Sequence, residues 1–227
     1  MSNEGKRKAA YRATEFVTDG QVVGLGTGST AEFAIRALGD LVREGLHITG
    51  VPTSEAAADL ARSLGIPLAD LNDVQRVDIT IDGADEVDPA FNMIKGGGGA
   101  LTREKLVALS SLRRVYVVDE SKLVERLGHA WAVPVEVLPF AWRFSALRLD
   151  GLGCETRLRG DHQAPFVTDN GNYIVDCRFA PISDAPKLAI EIKQLPGVVE
   201  SGLFTGIADV LVIGREDRVE VRENPSR

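Results

Sequence analysis

The chain has 227 residues, 44% of them apolar, enough to bury a sizeable core and long enough for one large and one small domain. Its formal net charge of -7 disfavours a nucleic-acid or anionic-membrane surface, yet leaves room for a local basic pocket that holds a phosphorylated metabolite. The charged opening residues lack the apolar core of a secretion signal, and no window approaches the roughly 18 apolar residues of a membrane span. Cys154 and Cys177 lie in no CxxC or metal-ligand pattern, so the expectation is a cytoplasmic protein with both thiols reduced.

In chain order, Ala9, Ala10, Ala13, Phe16 and Val17 fall at helical spacing within 6–18, with Gly20 as a stop. Residues 21–25 read as a short buried strand, followed by the glycine loop Gly24-Leu25-Gly26-Thr27-Gly28-Ser29-Thr30 and a helix through Ala31, Phe33, Ala34, Ile35, Ala37, Leu38 and Leu41. The unit repeats. A strand over 46–51 leads through Pro52-Thr53-Ser54 into an alanine-rich helix over 55–64 that Ser54 caps and Gly65 ends. Apolar segments at 66–71, 77–81 and 115–118, with a helix over 102–112, continue an alternating α/β layout with a mainly parallel sheet.

The character changes near Gly128. A strand within 131–139, a helix over 140–149, strands at 154–158, 165–168 and 173–179 with an Asn170-Gly171 hairpin turn, a helix over 184–194 and a strand over 198–204 follow the β-α-β-β-α-β order of the ferredoxin-like plan. The run 208–213 suits a buried parallel strand and 219–221 an edge strand. The fold expected is α/β: a Rossmann-like, mainly parallel sheet domain over 1–128 and 205–227, with a smaller ferredoxin-like α+β domain inserted over 129–204.

Ligands of such sheets bind beyond the strands' carboxyl ends, where the glycine-rich points fall. The first loop fails the GxGxxG spacing and has no Walker-type lysine after Gly28, which demotes NAD and ATP. It is either an ordinary β-to-α turn or a cradle for one phosphate monoester, made of the Thr27, Ser29 and Thr30 hydroxyls and helix N-terminal amides. Asp82, Asp85, Glu86 and Asp88 crowd four carboxylates into seven positions. A solvated turn, a divalent cation site, or carboxylates that touch sugar hydroxyls or shuttle protons would each explain them, with Asp82 and Asp85 inward and Glu86 and Asp88 toward solvent.

Lys95 precedes Gly96, Gly97, Gly98 and Gly99, which can form a flexible hinge or surround a developing negative charge with amides and an ammonium. Glu104, in a helix's first turn, suits the dipole and on its own reads as structural. Lys122 can reach the same strand-end rim or be a plain surface lysine. His47, His129 and His162 stand outside every motif, so acid-base chemistry falls to carboxylate and lysine.

Taken together, Gly26-Thr27-Gly28-Ser29-Thr30, Val51-Pro52-Thr53-Ser54, the run from Asp82 to Asp88, Lys95 through Lys105, Val117 through Lys122, Pro134 through Pro139, Asp169-Asn170-Gly171-Asn172 and Gly197 through Phe204 resemble ribose-5-phosphate isomerase, type A, in order along essentially the whole chain. Ser201 departs from the histidine of many members. The resemblance implies reversible conversion of D-ribose 5-phosphate to D-ribulose 5-phosphate in the pentose phosphate pathway, without metal or cofactor, by a cytosolic homodimer or dimer of dimers. It implies Glu104 as catalytic base, with Asp82, Asp85 and Lys95 as further catalytic groups. Substrate would be bound by Thr27, Gly28, Ser29, Thr30, Asp82, Gly83, Ala84, Asp85, Lys95, Gly96, Gly97, Gly98 and Lys122, with Lys6 adding to the phosphate site. A related deaminase, lactonase or CoA-transferase, and a non-catalytic sugar-phosphate sensor, are the competing readings.

Overall fold

The computed structural model describes residues 3–226. Its first elements are α1 (Asn3–Thr14), β1 (Val22–Leu25), α2 (Ser29–Arg43), β2 (Thr49–Pro52), α3 (Glu55–Ser63) and β3 (Val77–Gly83). Next come β4 (Glu86–Val87), β5 (Met93–Ile94), α4 (Leu101–Leu109), β6 (Ser111–Asp119) and a 3-10 turn, Glu120–Lys122. After β7 (Val133–Val137) and a second 3-10 turn, Pro139–Ala141, follow α5 (Trp142–Asp150), β8 (Glu155–Leu158) and β9 (Tyr173–Arg178). The last are α6 (Ala185–Lys193), β10 (Val198–Ser201), β11 (Leu203–Phe204), β12 (Val210–Gly214) and β13 (Val219–Glu223). Among the described residues no helix is long and apolar enough to cross a membrane.

The chain divides into two compact units, one holding residues up to Ala84, Arg103–Lys122 and those from Ile207 on, the other Asp85–Thr102 and Leu123–Gly206. The first unit is built on a six-stranded sheet in the order β13-β12-β6-β3-β1-β2, parallel except for β13. Alternation along β1 decides its two faces. Val23 and Leu25 join Ala9, Ala13, Ala34, Ile35 and Leu38 in the main core under α1 and α2. Gly24, between them, has the opposite outlook: a Cβ there would lie 2.6 Å from Val107 Cγ1, so the missing side chain lets α4 close onto β1. Ser54 caps α3 as its position suggests, its Oγ accepting the Ala57 amide at 3.1 Å.

The second unit carries an antiparallel four-stranded sheet, order β10-β7-β9-β8, laid out with α5 and α6 on the ferredoxin-like plan, and a three-stranded ribbon, β11-β5-β4. Val133, Val135, Val137, Val175 and Cys177 pack with Ala146, Leu149 and Ile192 of the two helices. The mainly parallel sheet and the α/β class expected from the pattern are what the chain adopts.

Several boundaries differ from the sequence reading. The opening helix stops at Thr14, where Phe16 and Val17 turn back to bond the Ala13 and Thr14 carbonyls. Residues 66–71 form no strand, only a bridge from Leu68 to Gly50. Pro67 brings no amide to a ladder, and Asp70 folds into a local turn with Asn72. The helix over 102–112 ends at Leu109, because Ser111 and the following residues pair with β3. Residues 165–168 contribute only isolated bridges at Pro165 and Val167. The run 198–204 is two strands divided at Gly202, where a Cβ would stand 2.3 Å from the Lys95 carbonyl oxygen. Both cysteines are free thiols. The Cys177 thiol, buried on β9, donates to the Val175 carbonyl at 3.7 Å, and its closeness to Cys154, together with burial, pushes it well above the ordinary thiol range.

Candidate active site

In the first unit β1 lies between β2 and β3, so the winding reverses at the β1–β3 gap. Open α/β sheets hold ligands at that position, beyond the strands' carboxyl ends. The loop after β1 fills it. Gly28 takes φ 105° and occupies the N-cap of α2 with no side chain to cap the helix, so the first-turn amides around Ser29 and Thr30 have neither a capping side chain nor an intrahelical acceptor. Lys6, from α1, donates to Ser29 Oγ at 3.4 Å and adds a cation beside this helix end.

Thr27 braces the loop. Its amide donates to Asp82 Oδ1 at 3.2 Å, and its hydroxyl lies 2.7 Å from Thr53 Oγ1 and 2.8 Å from Ser54 Oγ, hydroxyls at the end of β2. Asp82, 1% exposed at the end of β3, also takes the Gly83 amide at 2.7 Å. Gly83 lies beneath α2, where an added Cβ would sit 3.7 Å from Thr30 Cβ, and the partly buried Ala84 closes this stretch of the unit.

Glu104 is 4% exposed, on the face of α4 that also carries Val107 and Ala108. The preceding residue, Arg103, donates to Glu55 Oε1 at 2.9 Å, and Glu55 starts α3 just beyond the carboxyl end of β2. The first turn of α4 therefore lies toward the same rim as the α2 cradle. Its hold on the sheet continues through Ser111 Oγ, which donates to the Val107 carbonyl at 2.7 Å and shares a 2.6 Å hydrogen bond with Thr80 Oγ1. Lys122 follows β6 in the turn that Asp119 stabilises by accepting the Ser121 amide at 2.9 Å.

The second unit brings together Asp85, Lys95 and the glycines. The Asp85 amide donates to the Ile94 carbonyl at 2.8 Å, and Asp85 Oδ2 accepts the Gly97 amide at 2.8 Å. Lys95 is 2% exposed, its amide bonded to Gly202 O at 2.9 Å and its ammonium 5.4 Å from the centroid of the Phe204 ring. Gly96 turns at φ 97°, and Gly97 and Gly98 are exposed.

Two carboxylates expected in solvent have other work. Glu86 is 1% exposed and accepts the amides of Gly128, Ala130 and Trp131 at 2.6 to 2.9 Å, donors 42 to 45 residues further on. Asp88 folds its own turn, accepting the Ala90 and Asn92 amides at 2.9 Å each. Two supports were given no role by the sequence reading: Glu136, inside the Pro134 to Pro139 motif, and Arg159, outside every motif. Glu136 is fully buried and accepts the Thr102 and Thr168 hydroxyls and the Asn170 and Asn172 amides. The available signal was a lone carboxylate in the apolar run 133–138.

A mainly parallel sheet whose switch point carries an uncapped helix end, a cation and a buried carboxylate defines the class: an α/β enzyme of small phosphorylated metabolites. The profile of the family Ribose 5-phosphate isomerase A (phosphoriboisomerase A) matches residues 49–218. A relative from Gloeobacter violaceus, named Ribose-5-phosphate isomerase A, is 52% identical over 217 residues, 95% of this chain and 94% of the relative. A protein of that name from Methanoregula boonei is 48% identical over 97% of this chain and 94% of its own. Among solved structures, ribose 5-phosphate isomerase A from Methanocaldococcus jannaschii superposes with a TM-score of 0.92 at 44% identity, covering 98% of this chain and 100% of that one. A D-ribose-5-phosphate isomerase in complex with phospho-erythronic acid superposes with a TM-score of 0.94 at 42% identity, with the same coverage. The chain belongs to the ribose 5-phosphate isomerase A family.

Proposed function

We propose that the chain is an aldose-ketose isomerase that interconverts D-ribose 5-phosphate and D-ribulose 5-phosphate, with no metal or cofactor. The observation that carries this reading is the buried carboxylate of Glu104, held by α4 toward the same sheet rim as the uncapped N-terminus of α2. A phosphate monoester is met by the α2 amides, Ser29, Thr30, Lys6 and Lys122, with Thr27 and Gly28 shaping the loop. With the sugar ring open, Glu104 removes the C2 proton to give a cis-enediolate and returns it to C1, so one carboxylate serves both transfers. Lys95 and the amides of Gly96, Gly97 and Gly98 stabilise the oxyanion. Asp82 and Asp85 carry the hydroxyl proton or assist ring opening, with Gly83 and Ala84 lining the substrate. The enzyme then belongs to the pentose phosphate pathway in the cytoplasm.

The same reading makes the enzyme a homodimer or dimer of dimers. Leu138 and Phe140, just before α5, and Phe144 and Leu147 on it are exposed apolar side chains, with Phe140 99% exposed, and a second copy is the occupant they suit. Light scattering of the purified chain tests this, and a monomer at micromolar concentration would refute it. The activity is tested by following ribulose 5-phosphate formed from ribose 5-phosphate in the presence of a chelator. Ketose formation supports an isomerase. Release of ammonia from an amino-sugar phosphate, hydrolysis of a lactone, or binding of ribose 5-phosphate without turnover would favour the competing readings.

A further inference from the structure

The four glycines after Lys95 have more backbone freedom than any comparable stretch of the chain, and ordering them carries the matching entropic cost. Arg159, just past β8, meets that cost with one rigid fork. Its Nε and Nη2 donate to Asp176 Oδ2 and Oδ1 at 3.0 and 2.5 Å, while Nη1 donates to the carbonyls of Gly96 and Gly97 at 2.8 and 3.1 Å. The ring of Phe166 covers the next turn. A Cβ on Gly99 would lie 2.4 Å from Phe166 Cζ, and the Arg159 guanidinium stands 5.8 Å from that ring's centroid.

A trans peptide points its carbonyl and its following amide in opposite directions. The peptide joining Gly96 to Gly97 is therefore held at both ends, its carbonyl by Arg159 and its amide by Asp85 Oδ2. The peptide joining Gly97 to Gly98 is held by its carbonyl, which turns the Gly98 amide away from Arg159. Gly98 is exposed, and among the described residues its amide has no acceptor. The Gly99 amide, by contrast, closes the turn on the Gly96 carbonyl at 2.9 Å.

We propose that Arg159, anchored by Asp176, is a positioning residue for the isomerisation, holding the glycine loop so that the Gly98 amide and Lys95 present their donors to the enediolate oxygen. This rests on the function proposed above. In this role Arg159 acts through the two carbonyls.

The test is Arg159→Lys, which keeps the charge but cannot span Asp176 and two carbonyls in one plane, beside the milder Asp176→Asn. For Arg159→Lys, kcat is expected to fall about tenfold or more with KM for ribose 5-phosphate within about twofold. Inhibition by inorganic phosphate should be unchanged, whereas 4-phosphoerythronate, whose carboxylate stands in for the enediolate oxygens, should bind more weakly by a factor close to that of kcat. Asp176→Asn should fall between. Wild-type kcat and wild-type 4-phosphoerythronate affinity in both folded variants would overturn the proposal, as would losses in every constant that track the folded fraction. An active wild type with indifferent variants defeats the role of Arg159 alone; a wild type that converts no ribose 5-phosphate defeats the functional reading, and this proposal with it.

Discussion

Gly26 and Asp82 are fitted to one another: a Cβ on Gly26 would lie 2.2 Å from Asp82 Oδ1, the oxygen that accepts the Thr27 and Gly83 amides. The glycine is required at that point because the carboxylate bridges the ends of β1 and β3. Gly26→Ala must push Asp82 aside, which costs about 1–3 kcal/mol by overpacking. Urea unfolding should register that loss, together with a rise in KM for ribose 5-phosphate, since Asp82 anchors the loop that leads into the start of α2.

Lys95 is buried beside Phe204, with its backbone fixed by Gly202. Lys95→Ala removes the ammonium while leaving the phosphate cradle of the first unit intact. At saturating substrate, turnover is expected to fall by about a hundredfold or more, the scale for loss of one oxyanion donor. Initial rates measured well above KM check this, and unchanged turnover would remove its electrostatic role.

Glu136 collects four side-chain donors, from Thr102, Thr168, Asn170 and Asn172. Glu136→Gln replaces an acceptor with a group that is half donor, leaving buried donors facing one another. A loss of about 1–3 kcal/mol is expected in denaturant unfolding with the slope unchanged.

Glu220, on β13, is held down to about 2, against 4.5 ordinarily, by the Arg222 and Arg215 guanidiniums. A carboxyl group lowered in the folded state stabilises the fold above its ordinary value and loses that contribution as pH falls toward the folded value. Glu220→Gln should therefore make stability less steep in pH between about 4.5 and 2 and leave turnover at neutral pH unchanged. Unfolding midpoints measured at stepped pH test this, and solvent screening keeps the effect modest.

The parallel sheet and the glycine-opened start of α2 were legible because they rest on local signals: short apolar runs, glycines at strand ends and the Ser54 cap. What escaped was settled at long range. Ser111 reads as helix in its own neighbourhood but is drawn into β6 by pairing with Val77. Glu86 reads as a solvated acid, and its acceptors' partners arrive only with Gly128, Ala130 and Trp131. Arg159 sits in a polar stretch with nothing to mark it until the fold brings Gly96 and Gly97 beside it. Gly202 did leave a clue, a glycine inside a strand-like run, where close backbone approach to Lys95 divides β10 from β11.

The central claim is that Glu104 takes and returns the proton of the sugar's second carbon. Its most direct test is proton NMR of ribose 5-phosphate in deuterated water with chelator present, comparing the wild type with Glu104→Gln. The account predicts that the wild type exchanges the C2 proton and forms ribulose 5-phosphate, while Glu104→Gln, still folded and still binding the sugar phosphate, slows both by at least about a hundredfold. Near-normal exchange and turnover in Glu104→Gln would contradict it.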